Sequence, residues 1–205
     1  YWRWWLLSNA PEGSDTDFTW EHFQAGVNKD LSDVLGNFVS RVTKFCMAKF
    51  GTSVPDGTPY SEPEEKLTAL LNQKLETYAS HMMSIEIRKA AAELRSIWTV
   101  GNEYLQLAAP WTHFKENPAR SGCIIRFSFN LIALYSNISR PFIPKTSNKI
   151  DKALTLHNNS SWPVSLENFL GNIKEGHAFT VPDNLFEKIS EDQITELKKR
   201  FSGKT

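Results

Sequence analysis

The chain has 205 residues, the size of one large domain, and is long enough to bury roughly 70% of its unfolded surface. Basic and acidic residues number 23 each, so net charge gives no reason to expect a nucleic-acid or membrane partner. A polyanion would have to bind a local cluster of basic side chains. Two cysteines, Cys46 and Cys123, are too few for a disulfide framework or a zinc site, and we expect both to be reduced and buried. No stretch approaches the ~20 apolar residues of a membrane helix. These features predict a cytoplasmic protein without membrane contact.

Apolar residues recur at spacings of three and four, which predicts amphipathic helices. The first helix is expected from Phe23 to Phe50, before a break rich in Gly and Pro at 51–59. Ser61 and Glu64 then form a capping-box sequence with a proline in the first turn. This pattern predicts that a second helix starts at Ser61.

Two further long helices follow. The apolar face from Ile87 to Ala108 predicts a helix that Pro110 ends, and the face from Ile124 to Ile138 predicts another. Short helical pieces are expected at 165–170 and 189–201. Long helices joined by short loops, without the alternation typical of strands, predict an all-α fold, an antiparallel helix bundle.

The sequence contains no catalytic constellation. Its five histidines lack the spacing of metal ligands, and the stretch at 51–57 lacks the lysine of a phosphate-binding loop. No serine stands in a nucleophile elbow. We therefore expect no catalytic residue, no metal and no cofactor in this chain, and a binding module as its functional class.

One candidate binding surface lies on the first helix. Asn37, Ser40, Arg41 and Lys44 share the face opposite the apolar stripe, because residues three and four apart lie above one another on a helix. An amide beside a guanidinium fork suits the edge of a nucleobase. The alternative is an ordinary solvated helix face.

Trp111 is the second candidate, just after the proline that ends a helix. A tryptophan there either plugs the end of the bundle or forms a rigid plate on which an unpaired RNA base stacks. Lys115, Arg120 and Arg126 follow closely, where phosphates could be met.

Several motifs occur in one order along nearly the whole chain. They are Asp15-Thr-Asp17-Phe18, Asp30-Leu31, Leu35-Gly36-Asn37 with Arg41, Asn102-Glu-Tyr104, Ala109-Pro110-Trp111, Pro141-Phe-Ile-Pro144 and "GHAFTVPDNLFEKI" at 176–189. Together they resemble the methionyl-tRNA synthetases, over the segment that leads from the catalytic region into the anticodon-binding helix bundle. The resemblance implies an all-α antiparallel bundle of the class Ia synthetase anticodon-binding type.

The resemblance also implies roles for single residues. Asn37, Arg41 and Trp111 stand where the family contacts the CAU anticodon of methionine tRNA, with the tryptophan stacked on a base. Apart from the resemblance, the basic residues Lys44, Lys115 and Arg120 are possible phosphate contacts.

The implied organisation has three parts. Residues 1–20 end the segment that joins the catalytic core to the bundle, residues 21–155 form the anticodon-binding bundle, and residues 156–205 form an extension that packs on the bundle or the core. The basic run at 196–201 either packs on the core, faces tRNA phosphates or is solvated.

The family's ATP-binding motifs and zinc-bearing insertion are absent from this sequence. The chain opens at Tyr1 inside an apolar run, so we expect a fragment that is inactive alone and belongs to a methionine–tRNA ligase that uses ATP and Mg²⁺. Its expected partners are methionine tRNA and its own N-terminal catalytic core, which Trp2, Trp4 and Trp5 would face, and the protein is expected to be a monomer. Two alternatives remain: the bundle of another class I synthetase, for cysteine, leucine or isoleucine, or a helical protein-interaction domain without an RNA role.

Overall fold

The computed structural model describes residues 1–13, 15–157, 161–163 and 165–201. Within these ranges the chain is helical and forms no strand, so the predicted all-α fold is confirmed. Parts of the predicted extension at 156–205 lie outside the described residues.

Ten α-helices and one π-helical segment make up the described architecture. In chain order they are α1 (Trp2–Ser8), α2 (Trp20–Val27), the π-segment (Asn28–Gly36), α3 (Asn37–Lys49), α4 (Glu62–Met83), α5 (Ile87–Ala108), α6 (Pro110–Glu116), α7 (Pro118–Ser139), α8 (Pro144–Ala153), α9 (Leu166–Phe169) and α10 (Glu191–Phe201). The long helices α4, α5 and α7 lie where periodicity predicts them. The sequence does not predict α1, α6 or α8, because each is short and two of them begin at prolines that also read as helix ends.

The single helix predicted from Phe23 to Phe50 is a continuous run of three parts, α2, the π-segment and α3. Asn28 and Asn37 at the two junctions both keep right-handed helical dihedrals, so the chain does not break there. The amide Nδ2 of Asn102 on α5 donates a hydrogen bond of 3.0 Å to the carbonyl of Val34 inside the π-segment. This contact ties the wider turn to α5, directly before the predicted site residues on α3.

The core is built around α7, which is buried on nearly all sides. It packs against α3, α5, α6 and α8, and 18 of its residues are buried. A helix that is buried on nearly all sides lies inside the bundle, and α7 contacts α3 and α5 as well as α8.

Both cysteines are free and buried, as the sequence predicts. Burial raises the pKa of the Cys46 thiol to about 12, and it also raises the pKa of Cys123 above its usual value. Neither thiol is therefore ionised near neutral pH.

The N-terminal tryptophans are not all available to a partner. Trp4 is 1% exposed and Trp5 is 5% exposed, because α1 packs its apolar face against α5 and α2 of this chain. The Trp4 ring lies 5.0 Å from that of Trp98, between ring centres. The expectation that Trp4 and Trp5 face a separate catalytic core is therefore wrong, whereas Trp2 remains 49% exposed.

The C-terminal helix α10 packs on α2. The Phe201 ring stacks on Trp20 with 5.8 Å between ring centres, and Lys198 forms an ion pair with Glu21. The predicted basic run is thus attached to the N-terminal side of the bundle.

A buried carboxylate joins three helices near the end of α5. Glu64 completes the predicted capping box with Ser61. It also accepts hydrogen bonds from the Tyr104 hydroxyl at 2.5 Å and from the Arg120 guanidinium at 2.7 and 2.9 Å. Burial alone would raise the pKa of this carboxyl, but these hydrogen bonds outweigh burial and hold its pKa below the usual value. The starts of α4 and α7 are thereby fixed to the last turns of α5.

Candidate nucleic-acid interface

The corner between α5 and α6 fixes the direction of the chain before Trp111. Ala109 adopts a left-handed conformation with φ of 41°, which costs an alanine roughly 1 kcal/mol. The following Pro110 is buried, and its carbonyl accepts a 2.8 Å hydrogen bond from the hydroxyl of Ser121 on α7. The corner is therefore held by α7 and by the rigid proline ring.

Trp111 is the second residue of α6 and lies on the surface. Its side chain is 36% exposed, whereas Pro110 beside it is buried. A tryptophan that plugged the end of the bundle would be buried like the proline. The exposed ring on a rigid corner instead has the form of a plate on which a planar group stacks.

Arg41 brings α3 to this plate. The guanidinium carbon of Arg41 lies 4.9 Å from the centre of the Trp111 ring, within the range of a cation–π contact. The same guanidinium donates a 3.1 Å hydrogen bond to the side-chain carbonyl of Gln106 on α5. Three helices thus meet at one point, and Arg41 is held there by two different contacts.

Gln106 is the functional candidate that sequence reasoning misses. It is an exposed polar residue in the last turns of α5, on the side away from the apolar face. That exposure is readable from the helical pattern, but no spacing rule connects a residue of α5 with one of α3.

Asn37 is the first residue of α3, one turn before Arg41, and its side chain is exposed. Within the described residues its amide makes no hydrogen bond, so both its donor and its acceptor point to solvent. Asn37 and Arg41 lie on the same face of α3, and that face leads to Trp111.

The predicted phosphate contacts divide into two kinds. Lys44 and Lys115 are exposed, and neither has an ion-pair partner in the part of the chain that the structure describes. Arg120 is held inside the bundle by the buried Glu64, with only 16% of its side chain exposed. Arg126 likewise donates to the carbonyl of Thr58 at 2.8 Å. A phosphate would have to displace these partners, so we leave Arg120 and Arg126 out of the proposed surface.

A second aromatic group extends the face of α6. Phe114 lies edge-on to Phe50 with 5.2 Å between ring centres, and the ammonium of Lys49 lies 5.5 Å from the centre of the Phe114 ring. The side chain of Phe114 is half-buried. Aromatic and basic groups therefore alternate along this side of the molecule, as in surfaces that bind single-stranded RNA.

No group of three potential metal ligands occurs among the residues that the structure describes. None of the helices in the same residues is long and apolar enough to cross a membrane.

Comparison with known proteins identifies two family models along the chain. Residues 54–205 match the model described as the anticodon binding domain of methionyl tRNA ligase. Residues 1–43 match the model described as class I tRNA synthetases (M).

Curated relatives carry the same name. The methionine–tRNA ligase of Ruegeria pomeroyi is 54% identical over 203 residues, and that of Jannaschia sp. is 56% identical over 203 residues. Each alignment covers 99% of this chain but 35% of the relative, so the chain spans about a third of the length of these proteins.

A solved structure shares the fold. The apo methionyl-tRNA synthetase of Mycobacterium tuberculosis superposes with a TM-score of 0.80 at 21% identity, over 92% of this chain and 38% of that one. At this identity the likeness concerns the arrangement of helices alone.

Proposed function

The chain belongs to the family of the anticodon-binding domain of methionyl tRNA ligase, and from this premise we propose that it recognises the CAU anticodon of methionine tRNA. The surface that performs this recognition runs along α3 from Asn37 to Arg41 and ends at Trp111. The contact between Arg41 and Trp111 is the observation that carries the proposal.

Stacking on Trp111 supplies the binding energy. The planar guanidinium of Arg41 lies over the indole ring, 4.9 Å from its centre, and this contact supports stacking of a flat partner on the same ring face. A nucleobase is a larger flat partner, and stacking of a base on an aromatic ring contributes ~1–3 kcal/mol. When a base takes this position, the guanidinium turns its fork of donors to the edge of the base or to a neighbouring phosphate.

Polar contacts supply the selectivity. The free amide of Asn37 and the fork of Arg41 offer donors and an acceptor to base edges, one helical turn apart. A wrong anticodon leaves some of these groups without a partner after they have lost water, which costs more than a missing apolar contact. Lys44 on α3 and Lys115 on α6 are exposed, and we expect them to attract the phosphates.

We assign the chemistry of aminoacylation to a separate catalytic core of the same enzyme. In that assignment the full-length protein is a methionine–tRNA ligase that uses ATP and Mg²⁺, and it works as a cytoplasmic monomer. The match of residues 1–43 to the class I synthetase model supports a core next to this segment.

The surface that meets the core is aromatic. Trp2 is 49% exposed and Phe18 is 41% exposed, and their rings lie 5.5 Å apart between centres. Trp20 lies edge-on to Trp2 with 5.7 Å between ring centres. We propose that this aromatic patch, and not the buried Trp4 and Trp5, packs against the catalytic core.

The test is binding of the 205-residue chain to two RNA hairpins that differ only in the loop triplet, CAU or a scrambled order, at two salt concentrations. We expect tighter binding of CAU and affinity that falls as salt rises, because phosphate contacts release counterions. Trp111→Ala is expected to weaken CAU binding about 5- to 150-fold, the equivalent of 1–3 kcal/mol, with the melting temperature retained.

Trp162→Ala is the matched control, because Trp162 is 45% exposed and stacks on Tyr78, which the proposed RNA surface does not include. It should leave RNA binding unchanged. Equal binding of the two hairpins would refute the proposal. Binding of a protein partner that does not respond to salt would favour the protein-interaction alternative.

A further inference from the structure

A groove of about 550 Å³ runs between α4 and α5 and ends at α6. Its apolar lining consists of Pro63, Leu67, Val100, Tyr104, Leu107 and Ala108. Apolar clefts of roughly 300–1,000 Å³ with a few polar groups are the typical binding sites of small molecules. The lining includes none of Asn37, Arg41 and Trp111, so this groove is a second site, apart from the proposed RNA surface.

The buried part of the lining is rigid. Tyr104 is 7% exposed, and its hydroxyl donates a hydrogen bond to the carboxylate of Glu64. Arg120 on α7 donates two hydrogen bonds to the same carboxylate, at 2.7 and 2.9 Å. At the rim Leu107 is 85% exposed, so its apolar side chain is open to a ligand. A site with such fixed walls loses little conformational entropy when a ligand binds.

The charges of the lining favour a cation. Its polar residues are Lys66, Glu103, His113 and Arg120. The ammonium of Lys66 is bound to Glu62 at 2.6 Å, and the guanidinium of Arg120 is bound to Glu64. Glu103 is exposed and has no ion-pair partner in the part of the chain that the structure describes. Its carboxylate is therefore open to a cation, and it repels an anion.

The end of α5 adds to this preference. The helix is 22 residues long and has no basic residue in its last turn. Pro110 follows it and has no N–H to donate, and the carbonyls of Gln106, Leu107 and Ala108 accept no hydrogen bond from the described residues. Free carbonyls at a helix C-terminus carry a partial negative charge, which stabilises a nearby cation. Because Ala108 belongs to the lining, this negative end borders the groove.

We propose that the groove binds an organic amine, a small molecule that joins an ammonium group to an apolar body. The ammonium donates to Glu103 and to the free carbonyls at the end of α5, because it has three donors and no acceptor. The apolar body packs on Leu67 and Leu107. Glu103 and Leu107 are one turn apart on the same face of α5, so a ligand with a single ring contacts both. The site is independent of RNA recognition, since the two surfaces share no residue.

The probe is phenethylamine, and the matched compounds are phenethyl alcohol, which is neutral, and hydrocinnamate, which is anionic. NMR titration of the isotope-labelled 205-residue chain measures the affinity and the location of each compound. We expect the amine to bind about tenfold more tightly than the alcohol, the combined effect of one exposed ion pair and one helix end. Hydrocinnamate should bind more weakly than both. The amide signals that shift should belong to residues 63–67 and 100–108.

Glu103→Gln keeps the size of the side chain and removes its charge. The preference for the amine over the alcohol should fall to about twofold, which the helix end supplies, while the affinity for the alcohol is unchanged. Glu76→Gln is the matched control, because it removes an exposed carboxylate of α4 outside the groove, and it should keep the preference at about tenfold.

Three results would overturn the proposal. The first is equal affinity for the amine and the alcohol, or no binding of either, in the unmodified chain. The second is an undiminished preference for the amine in Glu103→Gln, because another group would then hold the ammonium. The third is a set of shifted signals that lies outside the residues of the groove.

Discussion

The guanidinium of Arg41 on α3 lies over the indole ring of Trp111 on α6, with 4.9 Å between the guanidinium carbon and the ring centre. The contact joins the polar face of one helix to the rigid corner that follows another. Gln106 fixes the angle of the guanidinium through a 3.1 Å hydrogen bond. The base stacking and base-edge recognition that we propose both use this small group of side chains from three helices.

Gln106 should act through Arg41. We expect Gln106→Ala to lower the affinity for the CAU hairpin by about 0.5–1.5 kcal/mol, because the guanidinium loses the acceptor that orients it. In an Arg41→Ala background the same substitution should have no further effect. Isothermal titration of the four proteins of this double-mutant cycle measures the coupling.

The matched control is Gln73→Ala, which removes an exposed glutamine on α4. It should not change RNA affinity. Additive effects of Gln106→Ala and Arg41→Ala would contradict a positioning role for Gln106.

We expect the side chain of Asn102 to stabilise the wide turns of the π-segment. Its Nδ2 donates to the carbonyls of Val34 and Trp98 at 3.0 and 3.2 Å, so Asn102→Asp replaces a donor by a carboxylate that faces two carbonyl oxygens. We expect a loss of about 1–3 kcal/mol in the free energy of unfolding. Hydrogen exchange should accelerate at residues 34–39, and discrimination between CAU and scrambled hairpins should fall.

Asn172→Asp, at an exposed position, introduces the same charge and should leave exchange at 34–39 unchanged. Unaltered exchange at 34–39 in Asn102→Asp would show that the π-segment does not depend on this amide.

The ion pair of Glu64 and Arg120 predicts a pH-dependent stability. The pKa of the Glu64 carboxyl is lowered in the folded chain, because its hydrogen bonds outweigh burial. The carboxyl therefore stabilises the folded chain above its unfolded-state pKa of about 4.3, and this stabilisation is lost as pH falls through its lower folded-state pKa. Arg120→Met leaves the buried Glu64 carboxylate without its cation and should lower the free energy of unfolding by about 3–5 kcal/mol at pH 7.

Denaturant titrations between roughly pH 3 and pH 7, over which the Glu64 carboxyl changes from protonated to ionised, measure how the free energy of unfolding depends on pH. The difference in the free energy of unfolding between the parent chain and Arg120→Met should become smaller at acid pH, because the Glu64 carboxyl is then neutral in both proteins. Glu64→Gln/Arg120→Met, which lacks both charges, should show a weaker acid dependence than the parent chain. A difference that is constant with pH would contradict this account.

Close packing of α5 on α7 depends on Gly101. A Cβ at this position would lie 1.9 Å from the hydroxyl oxygen of Tyr135 and 3.0 Å from the ring carbon that bears it. Gly101→Ala should therefore destabilise the fold by at least ~1–3 kcal/mol in thermal unfolding. Tyr135→Phe removes the clashing oxygen and should recover part of this loss in the double variant.

Gly13→Ala is the control, because a Cβ there has no neighbour within 4 Å. This substitution should leave the stability to thermal unfolding nearly unchanged. A Gly101→Ala chain as stable as the parent would show that the two helices separate without cost.

The helices that the sequence predicts well are the ones with a long apolar period. The capping box at Ser61 and Glu64 predicts the start of α4, because the signal is local and each residue satisfies a backbone group within the same turn. The same box does not reveal that Glu64 also binds Tyr104 and Arg120, so Arg120 reads in the sequence as a surface cation. The prediction for Trp4 and Trp5 is wrong for a related reason, since no local sequence signal distinguishes a ring that packs on α5 from one that faces a partner.

The sequence by itself determined the all-α class, the long helices and the polar face with Asn37 and Arg41, because helical period and capping are set by residues a few positions apart. It also placed Trp111 after a fixed proline. Only the tertiary structure decided that Arg41 lies on the Trp111 ring, that Gln106 holds it there, and that α4, α5 and α6 line a groove beside Glu103. These contacts join distant parts of the chain, and they depend on how the helices pack, which no local pattern encodes.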